Sequence, residues 1–384
     1  MKEFFKIDAV HYVTGKPVRL EIIDGSIAKI EEIDDLKDED KSLVVAPGLI
    51  DNQINGYAGV DFSGDNLISE DFIKAAESIW KGGVTTFVPT LITGSNDLLI
   101  KNFKTLNIAC EQNNLLKKSV AGYHLEGPYI SPEEGYRGCH PVKYIHKPSW
   151  EEFMTFQEAA EGKIIEVTIA PELEGAPEFI KKCSREGIIT GIGHTAASSE
   201  QIRKAVDNGA RLSTHLGNGC ANMIHRHKNP LWAQLADDRL TASLIADGLH
   251  LLPEEMQVFY KVKGPDKIIL TSDVIYLAGM APGKYSFLGS EVILNDEGML
   301  LNIEQNCLAG ASFPLKNGVE NMVTLSGCSL WQAIDMASSN VARVLNLDDR
   351  ANIYEGKRAD LMLFKKEGQS LQIKNIWLNG TLVF

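Results

Sequence analysis

Two hydrophobic patterns divide the chain, one at its ends and another through its middle. Near both termini, short runs alternate apolar and polar residues, as in VRLEIIDGSIAKIEEI and LQIKNIWLNGTLVF. Such alternation predicts strands with one buried face, and the Asp24-Gly25 and Asn379-Gly380 pairs are typical of hairpin turns. We therefore predict one small β-sandwich domain formed by both chain termini, residues 1–47 and 350–384.

Residues 48–349 show a different pattern, in which short apolar runs alternate with stretches of helical periodicity. The apolar runs are typical of strands buried on both faces of a parallel sheet. The helical stretches include SSEQIRKAVDNGA, which opens with serine caps and ends near Gly209. Eight apolar runs occur, at residues 44–51, 84–91, 119–126, 164–171, 187–194, 211–216, 241–247 and 267–273.

Eight parallel strands with intervening helices predict an α/β fold, a (β/α)8 TIM barrel that carries the small β domain. The alternative is a doubly wound open sheet, which is disfavoured because no GxGxxG motif follows the first strand. The length of 384 residues fits either two or three average domains or one barrel with an appendage.

The charge and the cysteine content exclude several classes of function. With 38 Lys and Arg against 51 Asp and Glu, the net charge is −13, so we expect no binding to nucleic acid or to an anionic membrane. The sequence has no apolar run of transmembrane length and no signal-peptide pattern at its start. Six cysteines without a CxxC pair are typical of reduced thiols, which predicts a cytoplasmic protein.

Polar residues at the ends of predicted barrel strands form a candidate active site, because strand ends face the site in such barrels. Glu126, His194 and His215 provide one carboxylate and two imidazoles, which suit a zinc or ferrous ion with an open position for water. Asp273 ends the eighth run and is placed to act as a general base. Any one of these residues alone is more typical of a hydrogen-bonded core residue; the coincidence of two histidines and two carboxylates at strand ends favours a metal site.

These elements resemble the amidohydrolase superfamily, and within it the N-acetylglucosamine-6-phosphate deacetylases. The matching segments span nearly the whole chain and include HLEGPYISPEEGYRGCHP, GHTAASSEQI, THLGNG and LTSDVIYLAG. The resemblance implies a metal-dependent hydrolase of amino-sugar catabolism. Such an enzyme converts N-acetylglucosamine 6-phosphate to glucosamine 6-phosphate and acetate. The implied partners are this small-molecule amino-sugar phosphate and a second copy of the chain in a homodimer.

The resemblance also implies roles for individual residues. Glu126, His194 and His215 correspond to the metal ligands of the family. Asp273 corresponds to its catalytic acid and base. His140 resembles the catalytic histidine that contacts the acetyl carbonyl, and His250 resembles a substrate-binding histidine; a purely structural role for each of these two stays open.

The number of metal ions is a first departure from the superfamily. Many amidohydrolases carry His-x-His after the first strand, where it binds a second metal, but this chain has Gln53 and Asn55 there. Amides are poorer zinc ligands than imidazoles. We therefore expect one divalent ion per chain, Zn²⁺ or alternatively Fe²⁺.

The loop at residues 217–230 is a second departure. Family members often have an aromatic-Asn-Ala-Met run there, with a downstream arginine that meets the sugar phosphate, in some cases across a dimer interface. Arg226 is the nearest match, and the turn at Asn218 and Gly219 offers backbone amides to an anion. A solvated charged loop is the alternative. The altered loop leaves open the galactosamine epimer and an unphosphorylated sugar as substrates.

Two rival classes of function stay open. One is a hydrolase of cyclic amides or a deaminase on the same scaffold, which the HLEGP motif disfavours. The other is a sugar-binding relative without catalysis, which the presence of Asp273 beside all three apparent ligands disfavours.

Overall fold

A computed structural model describes residues 4–305 and 307–384 of the chain. In it, eight strands form one sheet, and each strand pairs in parallel with the next along the chain. The barrel closes through a parallel bridge between Ile54, which ends the first strand, and Val274, three residues beyond the last strand. The predicted (β/α)8 barrel is thereby confirmed. The eight barrel strands are, in order, Leu49–Ile54, Val84–Ile92, Tyr123–Glu126, Ile164–Ile169, Ile189–Ile192, Leu212–Ser213, Thr241–Ile245 and Ile268–Thr271.

Helices connect the barrel strands and bury their apolar faces in the same core as the strands. The helix Ser199–Asp207 begins with a capping box between Ser198 and Gln201, as its serine-rich start predicts. No helix among the described residues is long and apolar enough to cross a membrane. The other α-helices are Ser69–Lys81, Asn96–Gln112, Asn114–Ser119, Trp150–Ala159, Ala176–Arg185, Pro230–Ala236, Pro253–Lys263, Leu315–Asn321, Leu330–Met336 and Ser339–Val344.

Both chain termini contribute to one seven-stranded sheet with its own apolar cluster. In each of the pairs Asp24-Gly25 and Asn379-Gly380, the two residues have positive φ. This is the geometry of the tight hairpin turn that the sequence predicts. The small β domain formed by the termini is thus confirmed and consists of a single sheet. Its strand order is Thr381–Leu382, Ser370–Leu378, Leu361–Glu367, Leu43–Pro47, Phe4–His11, Pro17–Ile23 and Ser26–Glu32.

The first apolar run belongs to two sheets rather than to one strand. Gly48 separates Leu43–Pro47, in the terminal sheet, from the first barrel strand. A Cβ atom at Gly48 would lie 2.3 Å from the side chain of Thr85, so only glycine allows this close approach. The chain therefore changes sheet within a run whose hydrophobic pattern is continuous.

A four-stranded antiparallel sheet follows the eighth barrel strand and was not predicted. Its apolar side packs against Ile92 and Ile275, near the carboxyl end of the barrel. This insertion consequently forms one wall of the space above the barrel. Its strands are Gly283–Phe287, Ser290–Leu294, Leu300–Asn302 and Cys307–Leu308.

Glu166 is a fully buried carboxyl group in the fourth barrel strand. It accepts hydrogen bonds of 3.1 and 3.3 Å from the Asn52 amide, and its Oε1 lies 3.9 Å from His124 Nε2. Burial raises the pKa of Glu166 to about 8 and lowers the pKa of His124 to about 4. Both groups are therefore neutral at pH 7.

We expect Glu166→Gln to remove a pH dependence of stability. Because the folded pKa of Glu166 exceeds its ordinary value, the folded protein binds a proton that the unfolded chain releases, and stability falls as pH rises from about 5 to about 8. Relative to Glu166→Gln, the wild-type free energy of unfolding should fall by on the order of 3 kcal/mol across this range. Urea unfolding of both proteins at each pH measures this difference, and a constant difference would contradict it.

Candidate active site

Four of the predicted site residues lie at the carboxyl ends of barrel strands. Glu126 is the last residue of the third strand. His194, His215 and Asp273 each lie two residues beyond the end of a strand, the fifth, the sixth and the eighth. These three residues take positive φ angles of 48°, 29° and 51°. Residues other than glycine rarely adopt this left-handed backbone conformation, because it is strained. Strained backbone of this kind is concentrated at functional sites.

The Glu126 carboxylate is the point at which the site residues meet. Its Oε1 lies 2.9 Å from His215 Nε2 and 3.5 Å from His194 Nε2. The same oxygen accepts a 2.9 Å hydrogen bond from the Gln53 amide. Burial acts to raise the pKa of Glu126, but the contacts with His194 and His215 outweigh it and hold this pKa well below its ordinary value.

The donor set around Glu126 fits a divalent cation. His194 Nδ1 lies 2.8 Å from the Tyr136 carbonyl oxygen and donates a proton there, so a neutral His194 ring would direct its Nε2 lone pair at the carboxylate. A lone pair and an anionic oxygen repel each other unless a proton or a cation lies between them. Two imidazoles and one carboxylate on separate strands are a donor set that zinc and ferrous ions accept.

His140 also approaches this centre. Glu126, His140 and His194 offer ligand atoms that all lie within 4.8 Å of one another. This group differs from the predicted ligand set, which contains His215 instead. His140 Nδ1 is 2.8 Å from Thr93 Oγ1, and burial, followed by the nearby His194, lowers the pKa of His140 to about 3. His215 Nε2 lies 2.9 Å from Glu126 Oε1, so His215 is a candidate ligand beside this group.

Asp273 is linked to Glu126 by a side-chain amide. Gln53 Nε2 donates to Glu126 Oε1 and to Asp273 Oδ1, both at 2.9 Å. Asn55 Nδ2 donates to the same Asp273 oxygen at 2.7 Å. Burial, helped by the charge of Glu126, raises the pKa of Asp273 to about 7. A carboxyl group poised near neutral pH can both accept and return a proton.

Gln53 and Asn55 also lie at the site, and the sequence did not reveal which groups their amides contact. At the sequence level, Gln53 and Asn55 indicate only that a second pair of histidine ligands is missing. In the structure they fix the position of two carboxylates that belong to distant strands. The available signal was a pair of buried polar residues at i and i+2 at the end of the first barrel strand.

A cavity of about 310 Å³ opens above these residues, a size typical of sites for small molecules. No lysine or arginine is among the described residues that line it. The structure brings eight of the nine predicted site residues together around this one cavity. These eight are Glu126, His140, His194, His215, Asn218, Gly219, His250 and Asp273.

Arg226 is the predicted site residue that does not line the cavity. Its side chain is exposed, and its carbonyl oxygen accepts a 2.9 Å hydrogen bond from Trp232 Nε1. By contrast, His250 is anchored at the cavity by a 2.7 Å contact between its Nδ1 and Asp247 Oδ2. Within one chain, the basic residue predicted to meet a phosphate is thus separate from the cavity.

Comparison with known proteins finds relatives over nearly the whole chain. The model of the amidohydrolase family matches residues 44–383. The chain is 32% identical over 365 residues to N-acetylgalactosamine-6-phosphate deacetylase of Escherichia coli O157:H7, which covers 95% of this chain and 94% of that protein. It is 32% identical over 328 residues to N-acetylglucosamine-6-phosphate deacetylase of Bacillus subtilis (strain 168), which covers 84% of this chain and 81% of that protein.

A solved structure shares the same architecture. It is a variant of N-acetyl-D-glucosamine-6-phosphate deacetylase from Mycobacterium smegmatis in complex with N-acetyl-D-glucosamine-6-phosphate. The two chains superimpose with a TM-score of 0.88 at 27% identity, over 99% of each chain. The similarity therefore includes both the barrel and the terminal sheet.

Proposed function

Because this chain belongs to the amidohydrolase family, and within it to the N-acetylglucosamine-6-phosphate deacetylases, we propose that it removes the acetyl group from N-acetylglucosamine 6-phosphate. The products are glucosamine 6-phosphate and acetate, which places the enzyme in amino-sugar catabolism. The observation that carries the proposal is the pair of carboxylates, Glu126 and Asp273, that Gln53 joins beside two histidines in one cavity.

The family is metal-dependent, and Glu126, His194 and His215 are the proposed ligands of one divalent ion. Zn²⁺ is the proposed metal, with Fe²⁺ as the alternative, since both accept these donors. When bound, such an ion polarises a carbonyl oxygen and lowers the pKa of water. A second metal ion would need a pair of histidines where this chain has Gln53 and Asn55. The side-chain N–H groups of these two residues instead donate to a carboxylate, which supports a single ion.

Asp273 is the proposed acid and base. Gln53 and Asn55 both donate hydrogen bonds to Asp273 Oδ1. Because these bonds occupy Oδ1, we assign the transferred proton to Oδ2. This carboxylate removes a proton from the water that attacks the acetamide carbonyl. It then returns the proton to the departing amine, which leaves as the free amino sugar.

His140 is the proposed donor to the oxygen that becomes negative during the attack. If the Thr93 hydroxyl donates to Nδ1 across their 2.8 Å contact, the proton of the neutral ring resides on Nε2. A preorganised N–H in a buried site stabilises a developing oxyanion strongly. His140 lines the cavity beside Glu126 and His194, which supports this role.

The substrate phosphate is proposed to meet residues from two copies of the chain. The turn at Asn218 and Gly219, together with His250, lines the cavity, whereas Arg226 does not. The resemblance to relatives in which an arginine acts across a dimer interface, together with the exposure of Arg226, supports a homodimer in which this side chain serves the other copy.

We expect Arg226→Ala to raise KM for N-acetylglucosamine 6-phosphate by about tenfold or more, because a charge-assisted contact to phosphate is lost. The KM for unphosphorylated N-acetylglucosamine should stay nearly unchanged. Steady-state acetate release with both sugars measures the two values. An equal change for both sugars would exclude Arg226 from phosphate binding.

Mixed dimers test whether Arg226 acts in the other copy. The variants Arg226→Ala and Asp273→Asn are each impaired alone. In a mixed dimer, however, the chain with Arg226→Ala still has Asp273 at its site, and the other chain supplies Arg226 to that site. Activity on the phosphorylated sugar should therefore appear when the two variants are co-expressed. A mixture no more active than the sum of its parts would place Arg226 at its own chain's site.

A panel of sugars tests the proposed reaction. Acetate and free amine should appear in equal amounts from N-acetylglucosamine 6-phosphate with metal-loaded protein. The galactosamine epimer is the second candidate substrate, because a relative named N-acetylgalactosamine-6-phosphate deacetylase is as similar as those named for the glucosamine epimer. Release from the galactosamine ester alone would favour that candidate, and release from neither ester would contradict both.

A further inference from the structure

Two cysteines face each other at the wall of the cavity and have no part in the proposed reaction. Cys139 Sγ and Cys307 Sγ lie 3.5 Å apart, and both residues line the cavity. Cys139 lies in the loop after the third barrel strand, directly before His140. Cys307 begins the last strand of the four-stranded insertion. Neither residue is fully buried, so both are within reach of small reagents.

The two sulfur atoms lie close enough together to bond after a small movement. The sulfur atoms of a disulfide lie about 2.05 Å apart, so closure requires an approach of about 1.5 Å. The hydrogen bond from Cys139 lowers the pKa of the Cys307 thiol to about 7, and the nearby Arg137 acts in the same direction. Thiolate character makes Cys307 the more nucleophilic of the two. In contrast, three of the other cysteines are buried, Cys110, Cys183 and Cys328.

We propose that Cys139 and Cys307 form an oxidisable thiol pair, which closes to a disulfide when it meets a hydroperoxide and thereby reversibly slows the enzyme. The Cys307 thiolate attacks hydrogen peroxide, an S–O bond forms as the O–O bond breaks, and one water leaves. The Cys139 sulfur then attacks the sulfenic acid, an S–S bond forms, and a second water leaves. Two thiols and one peroxide give one disulfide and two waters; the sulfurs are oxidised and the peroxide is reduced.

Closure acts on the site through His140. The new bond ties the residue before His140 to the four-stranded insertion, while His140 is held at Nδ1 by Thr93 and packs at 4.6 Å, centroid to centroid, against His194. A misplacement of about 1 Å in a catalytic group can reduce a rate by on the order of a hundredfold. The inhibition therefore rests on the proposed role of His140, whereas the disulfide itself does not.

The disulfide is tested on the zinc-loaded chain of 384 residues with a small excess of hydrogen peroxide. The number of thiols that react with a thiol reagent after denaturation should fall by two from the six in the sequence, and peptide mapping should find Cys139 joined to Cys307. Cys139→Ser and Cys307→Ser should each abolish the link. Cys220→Ser is the matched control, since Cys220 also lines the cavity, and it should still form the link. Six free thiols after oxidation, or a link through Cys220, would overturn the proposal.

Activity provides an independent readout. Oxidation should lower kcat at least about tenfold in the wild type, a dithiol reductant should restore it, and either serine variant should resist the change. A mapped disulfide with unchanged kcat would refute the inhibition. Since the thiol count and the peptide map need no turnover, they decide the disulfide even if the protein fails to deacetylate the tested sugars.

Discussion

Asp273→Asn lowers the rate of acetate release by about 10³-fold while the protein keeps its metal ion, if Asp273 is the acid and base. The amide has nearly the size of the carboxylate, and its oxygen can still accept from Gln53 and Asn55, which now bond Asp273 Oδ1 at 2.9 and 2.7 Å. It cannot take the proton of the attacking water. The loss should therefore appear in kcat rather than in metal content or in KM.

The measurement combines steady-state acetate release with elemental analysis of the same samples. Asp61→Asn is the matched control, because Asp61 lies outside the cavity and its Oδ1 accepts a backbone hydrogen bond from Ser63 that an amide oxygen can keep. This control should retain near wild-type kcat. Turnover by Asp273→Asn at a comparable rate would assign proton transfer to another group.

Glu126→Gln is expected to lose both the ion and the activity. The change removes the only negative charge among the three proposed ligands and replaces it by an amide, which is a poor zinc ligand. It also places a second amide opposite the Gln53 amide, which now donates to Glu126 Oε1 at 2.9 Å. Metal content should fall to a small fraction of one ion per chain, and excess Zn²⁺ should not restore acetate release.

Glu166→Gln is the control for Glu126→Gln. It makes the same substitution at another fully buried glutamate of the same barrel, one that bonds Asn52 and does not line the cavity. This variant should keep its ion and its turnover. A Glu126→Gln protein that retains a full complement of tightly bound metal would overturn the proposed ligand set.

The barrel was predictable because most of its strands lie within short apolar runs bounded by polar residues, and parallel strands end on one side. The same rule identified Glu126 and Asp273 as residues of one site, although 147 positions separate them, which is the difference between their numbers. The hairpins at Asp24-Gly25 and Asn379-Gly380 were predictable from local preference alone, because few other residue pairs tolerate positive φ twice.

Other features depend on contacts that no local pattern encodes. Gln53 meets Glu126 and Asp273 across 73 and 220 positions of sequence, so its role as a bridge emerges only from the closed barrel. The pair of Cys139 and Cys307 spans 168 positions. The sequence left open whether Arg226 meets the ligand or lies in a solvated charged loop, and the structure shows its side chain exposed and outside the cavity.

Titration of the metal-free protein with Zn²⁺, while acetate release from N-acetylglucosamine 6-phosphate is followed, measures both the reaction and the number of ions that it needs. We expect the rate to rise linearly and to reach a plateau at one ion per chain, because the proposed ligands Glu126, His194 and His215 form one site and Gln53 and Asn55 occupy the place of a second. No release of acetate at any ratio would contradict the proposed reaction. A plateau reached only at two ions per chain would contradict the single-metal site.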